Sequence, residues 1–283
     1  MNNRMPAPTP EPARDDAILP LTRLTAAVVV PFLIAAFIIL YLLSAETGRR
    51  FAWEIASPLT AAFMGAGYLG GAYFFVRAFF ARRWHHIGGG LPGVAVFTAV
   101  MLAATLRHWD TFDPAHWPFW VWLTLYIVTP VLVPVVWWRN RRRDSGRPDP
   151  VDALLPAAAG PILLAAGGLL LAGAAFLFFL PEAAGRLWPW PLTPLTARVL
   201  AGWQALLGTG ALAMSRERRW SGWRIPIQSI LLWQALMALA IFIHRDAFGP
   251  NGPLNWYSIY TFAGIAIAGA FYLLMESRRA PTP

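Results

Sequence analysis

The chain contains no cysteine and no lysine. Without thiols it forms no disulfide, has no thiolate nucleophile, and offers no ligands for cysteine-bound zinc or iron–sulfur clusters. Without lysine it makes no Schiff base with retinal or pyridoxal phosphate, and all 23 basic residues are arginine. Charge is scarce: 13% of the 283 residues are charged and 57% are hydrophobic, a balance outside the range of ordinary soluble domains. Runs such as LTAAVVVPFLIAAFIILYLL also lack the apolar–polar alternation of a transmembrane β-barrel, which leaves helices.

What is present is a series of long apolar blocks. Crossing a hydrocarbon layer roughly 30 Å thick takes about 20 apolar residues in a helix. Segments 22–43, 58–80, 91–108, 117–138, 154–180, 194–214, 225–244 and 255–275 approach or exceed that length. The expected fold is an all-α integral membrane protein with eight transmembrane helices. Residues 1–20, polar and rich in proline, are expected to form a disordered cytoplasmic tail. The first apolar block is too long for a signal-peptide core and is counted as a span.

Arginine placement predicts orientation through the positive-inside rule. One side collects Arg4, Arg14, Arg23, Arg77, Arg82, Arg83, the run WWRNRRRDSGR, the run SRERRWSGWR and Arg278–Arg279. The other side has Arg49, Arg50, Arg107, Arg186, Arg198 and Arg245. Both termini are therefore expected in the cytoplasm of a bacterial-type inner membrane. The net charge of +9 reads as this bias plus attraction to anionic lipid headgroups, with no nucleic-acid partner. Tryptophans near the span ends (Trp53, Trp109, Trp117, Trp120, Trp122, Trp188, Trp190 and Trp256 outside; Trp84, Trp137, Trp138, Trp220 and Trp223 inside) are expected to form interfacial belts.

Compared with itself, the chain repeats. His108, Asp110, Phe112, Pro114 and Trp120 recur as His244, Asp246, Phe248, Pro250 and Trp256, each shifted by 136 positions. The same shift carries Arg82-Arg83-Trp84 onto Arg218-Arg219-Trp220, Pro58-Leu59-Thr60-Ala61 onto Pro194-Leu195-Thr196-Ala197, and Glu46 onto Glu182. The expected organisation is a four-helix repeat over 21–138, a basic cytoplasmic linker over 139–153, a second repeat over 154–276 and a tail over 277–283. An even number of spans returns the chain to its starting side. The two repeats should then be parallel, related by a pseudo-twofold axis along the membrane normal.

Several polar residues are candidates for a site. His108, Asp110, His244 and Asp246, with Glu46 and Glu182, fall on the outer side. Imidazole and carboxylate there suit a divalent metal or a general base. A duplicated element is more economically a shared turn: histidine suits the last helical turn, and Asp and Pro shape the bend after it. Asp113 and His116 occur in one half only and are better functional candidates, as are the intramembrane Gln204 and Gln234. His85 and His86, beside Arg82-Arg83-Trp84, are expected to be solvated at the cytoplasmic interface. Ser57-Pro58 and Thr193-Pro194 read as helix starts. The haem A synthases also join two four-helix bundles, but carry axial histidines in spans two, four, six and eight; those spans hold no histidine here. No cofactor is expected; the alternative is a haem or divalent metal held by His108 and His244.

These features predict a multi-pass membrane protein that binds a lipid or a partner without catalysis. The alternatives are a transporter or permease for a neutral or lipophilic small molecule, and a membrane enzyme with an outward-facing His/Asp/Glu site.

Overall fold

A computed structural model describes residues 14–248 and 252–279. Most of the expected tail (1–13), the last residues (280–283) and Pro250 of the second outer turn lie outside the described residues. The long helices are α1 (Pro20–Phe37, extended by a π-helical turn Ile38–Leu42), α2 (Pro58–Phe80), α3 (Leu91–Arg107), α4 (Trp117–Arg141), α5 (Ala159–Phe179), α6 (Pro194–Met214), α7 (Trp220–Ile243) and α8 (Trp256–Ser277). They match the eight expected segments to within a few residues. Among the described residues, seven of them are long and apolar enough to cross a membrane, as in a multi-pass membrane protein. The helix outside that set is α6, whose Arg198, Trp203 and Gln204 lower its hydropathy. Most of α6 packs against α3 and α5, so its surface is adapted to protein and not to lipid.

Local chemistry sets the helix ends. Ser57 caps α2 by accepting from the Thr60 amide, and Thr193 and Thr196 form a capping box on α6, with proline at the first helical position in both. Asn255 caps α8 by accepting from the Tyr257 and Ser258 amides at 3.0 and 3.1 Å. Pro130 and Pro134 both lie inside the continuous helix α4.

The packing order is not that of two separate bundles. Helix α1 packs on α2 and α5 on α6, while α3 packs on α4 and α7 on α8. The remaining large contacts cross between the halves, α2 on α7 and α3 on α6. These crossings are close because they use glycine. A Cβ on Gly70 would stand 2.9 Å from the Ser229 carbonyl oxygen, and one on Gly93 would stand 2.4 Å from that of Leu206. Of the apolar windows, 78% of α2 is buried against 17% of α1, α5 and α8, so α2 is central and the latter three face outward.

On the side bearing the arginine-rich loops, polar groups lock the chain together. Residues 14–19, expected within the tail, instead pack against the bundle, with Asp16 and Ile18 buried. Asp16 accepts from the His85 backbone amide at 3.2 Å and from His85 Nδ1. In the other half, Asp152 accepts from the Ser221 amide at 2.9 Å and from its hydroxyl. The linker is docked too: Asp144 takes a bidentate pair from Arg219 at 2.9 Å, and Asp149 pairs with Arg83 at 2.7 Å. Burial raises the Asp144 and Asp149 pKa values, but Arg219, and for Asp149 the His86 side chain with Arg83, more than offset it; both carboxyls are held below their usual range.

Six of the tryptophans expected in belts are buried in the bundle ends instead: Trp53, Trp122, Trp190, Trp84, Trp220 and Trp223. Trp53 and Trp190 lie in end loops that fold inward, and Trp220 and Trp223 pack against Phe271 of α8. Trp109, Trp117, Trp120, Trp138 and Trp256 are exposed, as a belt requires.

Gly93→Ala should destabilise the protein by about 1–3 kcal/mol through overpacking against backbone, while Gly168→Ala, with nothing within 4 Å of its added Cβ, should be neutral or slightly stabilising; thermal unfolding of the two purified variants compares them. The linker carboxylates have depressed pKa values, so their contribution is complete above the ordinary carboxylate pKa of about 4 and disappears as pH falls through the lower folded values. Acid titration should therefore release the linker before the helices unfold, seen as faster amide hydrogen exchange over residues 144–153 than in the long helices.

Candidate functional site

The duplicated outer elements form the same turn. His108 and His244 end α3 and α7 with φ of −120° and −110°, and each carbonyl accepts from the amide three residues on, at 2.9 Å. A short 3-10 turn comes next in both, and Phe112 and Phe248 then enter the interior. Phe112 stacks on Phe119 at 5.0 Å and meets Trp53 edge-on at 5.7 Å; Phe248 meets Trp190 at 5.9 Å. The shared element thus plugs an aromatic ring into each outer bundle end.

Its polar residues do not pair with one another. Asp110 and Asp246 are exposed. Glu46 binds its neighbours Arg49 and Arg50, which hold its pKa below the usual range. Glu182 lies in the first turn of a short helix, Pro181–Leu187. Asp113 accepts from the Ala115 amide at 2.8 Å, a local Asx turn, and His116 at the start of α4 donates from Nε2 to the Phe51 carbonyl at 2.8 Å. His108 Nε2 accepts from Arg198 of α6 at 2.8 Å. The position equivalent to Arg198 is Ala62, so His244 has no corresponding arginine.

The intramembrane glutamines sit at helix contacts. A Cβ on Gly173 of α5 would stand 2.7 Å from Gln204 Oε1, and one on Gly264 of α8 would stand 3.4 Å from Gln234 Nε2. Gln228, which the 136-residue shift leaves opposite Pro92, is the better connected. It accepts from Tyr73 and Arg77 of α2 at 2.7 and 2.9 Å and donates to Tyr272 of α8 at 2.7 Å, tying three helices together.

The feature suited to a ligand is a cavity of about 580 Å³ within the helices. It opens where α2 and α3, consecutive in sequence, fail to pack along one another. Its wall includes Leu33 and Ala36 of α1, Gly67, Tyr68 and Gly71 of α2, Phe97 of α3, Tyr126 of α4, Trp203 of α6 and Trp233 of α7. Phe97 and Trp233 both approach the Trp203 ring, at 4.4 and 5.1 Å. Gly67 is needed there, because a Cβ would stand 2.7 Å from that ring. The wall also reaches Phe32 and Trp117, both exposed, so the cavity is continuous with the apolar surface. Neither Gln204 nor Gln234 lines it.

Polarity in this wall is sparse: besides a tyrosine pair it holds Thr98, Thr129, Ser229, Tyr260 and the exposed Arg50. The Tyr68 and Tyr126 hydroxyls, on α2 and α4, are 2.9 Å apart. Two hydroxyls carry two protons and their mutual bond uses one, so the pair has one donor left for a ligand. Sequence reasoning missed this pair because a tyrosine inside an apolar span carries no pattern of its own. Comparison with protein-family models, curated proteins and solved structures returns no match.

The outer turn should respond to pH. Burial first, then Arg198 and Arg107, lower the His108 pKa, so the folded state favours neutral imidazole. A histidine depressed in this way stabilises the fold above its unfolded pKa of about 6.5 and loses that contribution as pH falls. Unfolding midpoints should drop below pH 6.5 in the wild type, and this drop should be smaller in His108→Gln, whose amide oxygen still accepts from Arg198.

Proposed function

We propose that this chain is a membrane-embedded binding protein for a lipophilic molecule, which enters the intramembrane cavity sideways from the bilayer and is oriented by the Tyr68–Tyr126 hydroxyl pair. The observation that carries this reading is the cavity: its size falls in the range of small-molecule pockets, its walls are mostly aromatic and aliphatic, and its polar groups are few, with the Tyr68 and Tyr126 hydroxyls held together. A sugar-like ligand would lose more hydration than the few polar groups of this wall could replace. A long apolar molecule with one hydroxyl, ester or quinone-type oxygen would not.

The same proposal takes all eight long helices as spans in two tandem parallel copies, with both termini in the cytoplasm. Support comes from contacts that recur at the 136-residue shift: Gly70 on Ser229 and Leu206 on Gly93, Asp16 on His85 and Asp152 on Ser221. The outer His-x-Asp-x-Phe elements are read as structural turns and not as a haem, metal or catalytic site, because their phenylalanines pack inward while their carboxylates face out.

The test uses protein reconstituted in lipid nanodiscs and a photoactivatable long-chain alcohol as probe. Wild type should be labelled saturably at cavity-lining residues. Gly71→Phe, which fills the cavity at a position where a Cβ meets only Leu33 at 3.5 Å, should abolish labelling. Tyr126→Phe should weaken it about 3- to 10-fold, the worth of one neutral hydrogen bond. Labelling that is unsaturable, or indifferent to Gly71→Phe, would sink the proposal.

A further inference from the structure

We propose that His85, His86 and Asp149 hold a divalent transition-metal ion of the zinc type on the arginine-rich side of the membrane, independent of the intramembrane cavity. The ligand atoms of these three side chains all lie within 4.8 Å of one another. His85 Nε2 is 3.4 Å from Asp149 Oδ1, and His86 Nε2 is 2.8 Å from Asp149 Oδ2. Adjacent ligands on a tetrahedral ion with bonds of roughly 2.0–2.1 Å are about 3.3 Å apart, so the cluster needs only small adjustment around an ion.

Hydrogen-bond accounting points the same way. Asp16 is a carboxylate and accepts, so His85 Nδ1 carries a proton and Nε2 is turned toward the cluster. Around Nε2 stand Ser221 Oγ at 3.0 Å, whose own proton goes to Asp152, and the Asp149 carboxylate. Every neighbour is an acceptor, so a cation belongs on that nitrogen. A proton there would make His85 an imidazolium, its ring centroid 4.5 Å from that of His86; one metal ion serves both rings and the carboxylate together. Arg83 donates to Asp149 Oδ1, leaving Oδ2 for the ion. A buried carboxylate on the far nitrogen of a ligating histidine is the usual support of such sites, fixing tautomer and ring orientation. Two imidazoles favour zinc and its neighbours over magnesium or calcium.

The position gives the ion a purpose. Asp16 precedes α1, the histidines precede α3, Asp149 belongs to the linker and Ser221 opens α7, so the ion would staple the two halves and their connection at one point.

Full-length protein with a non-histidine affinity tag, stripped by chelator, is titrated with Co²⁺ and then Zn²⁺. The expected result is one equivalent of Co²⁺ with tetrahedral ligand-field absorption, displaced by Zn²⁺. Asp16→Asn should weaken uptake roughly 10- to 100-fold, His86→Ala and Asp149→Asn should weaken it more, and Asp152→Asn, whose side chain touches Ser221 and the Ala153 amide and none of the three ligands, should change it little. His86 and Asp149 are only partly buried, so these variants test the site without emptying the core, and gel filtration reports their folding. Should they aggregate, X-ray absorption at the zinc edge of the loaded wild type decides, by the presence of two imidazoles in the shell. No stoichiometric uptake, uptake unchanged in folded His86→Ala and Asp149→Asn, or a shell without imidazole would each overturn the site and leave a proton-bridged polar cluster.

Discussion

At Gly70 against Ser229 and Gly93 against Leu206, backbones from the two halves nearly touch. Between helices in lipid no hydrophobic force draws surfaces together, and close packing has to do the work. These crossings hold α2 to α7 and α3 to α6, and so decide which helices become neighbours. Because α2 is committed to α7 and α3 to α6, neither α2–α3 nor α6–α7 can close as a pair. Each half is completed by the other, and the space left beside α2 and α3 is the cavity.

Polar groups are sorted by depth around that arrangement. In the middle of the bundle they are few, and the best connected are Tyr68 with Tyr126 and Gln228 with Tyr73, Arg77 and Tyr272, while the Trp203 and Trp233 indole N–H groups at the cavity have no partner among the described residues. An unpaired group there would cost a few kcal/mol. At the end bearing Phe112 and Phe248, aromatic rings plug the bundle while Asp110 and Asp246 are exposed. On the arginine-rich side, buried carboxylates organise histidine, serine and arginine into one connected cluster. The two ends thus close by different means, the end bearing Phe112 and Phe248 by ring packing and the arginine-rich end by charge-assisted hydrogen bonds.

Much of the fold was legible because the bilayer demands it. Every backbone polar group must be satisfied within its own helix, and a span must be long and apolar, so segment positions could be read to within a few residues. The starts at Ser57-Pro58 and Thr193-Pro194 were equally legible, since capping is local chemistry. The cluster around His85 was not read, although its trace lies in the sequence: DAILP at 16–20 recurs as DALLP at 152–156 with the same 136-residue shift. Read alone, Asp16 is one acid at the end of a proline-rich tail, and His85-His86 an interfacial pair. Nothing in either stretch says that they meet.

The sequence by itself determined the helices, their ends, the charge asymmetry and the internal likeness of the halves, all properties of contiguous residues answering to lipid and water. Only the tertiary structure decided that α2 lies at the centre, that Tyr68 meets Tyr126 across a cavity, that Phe112 and not His108 is the working part of the outer turn, and that Asp16, His85, Asp149 and Ser221 share one site. Each of those depends on the distance between residues remote in the chain, which glycine-permitted approach between helices sets and no local pattern encodes.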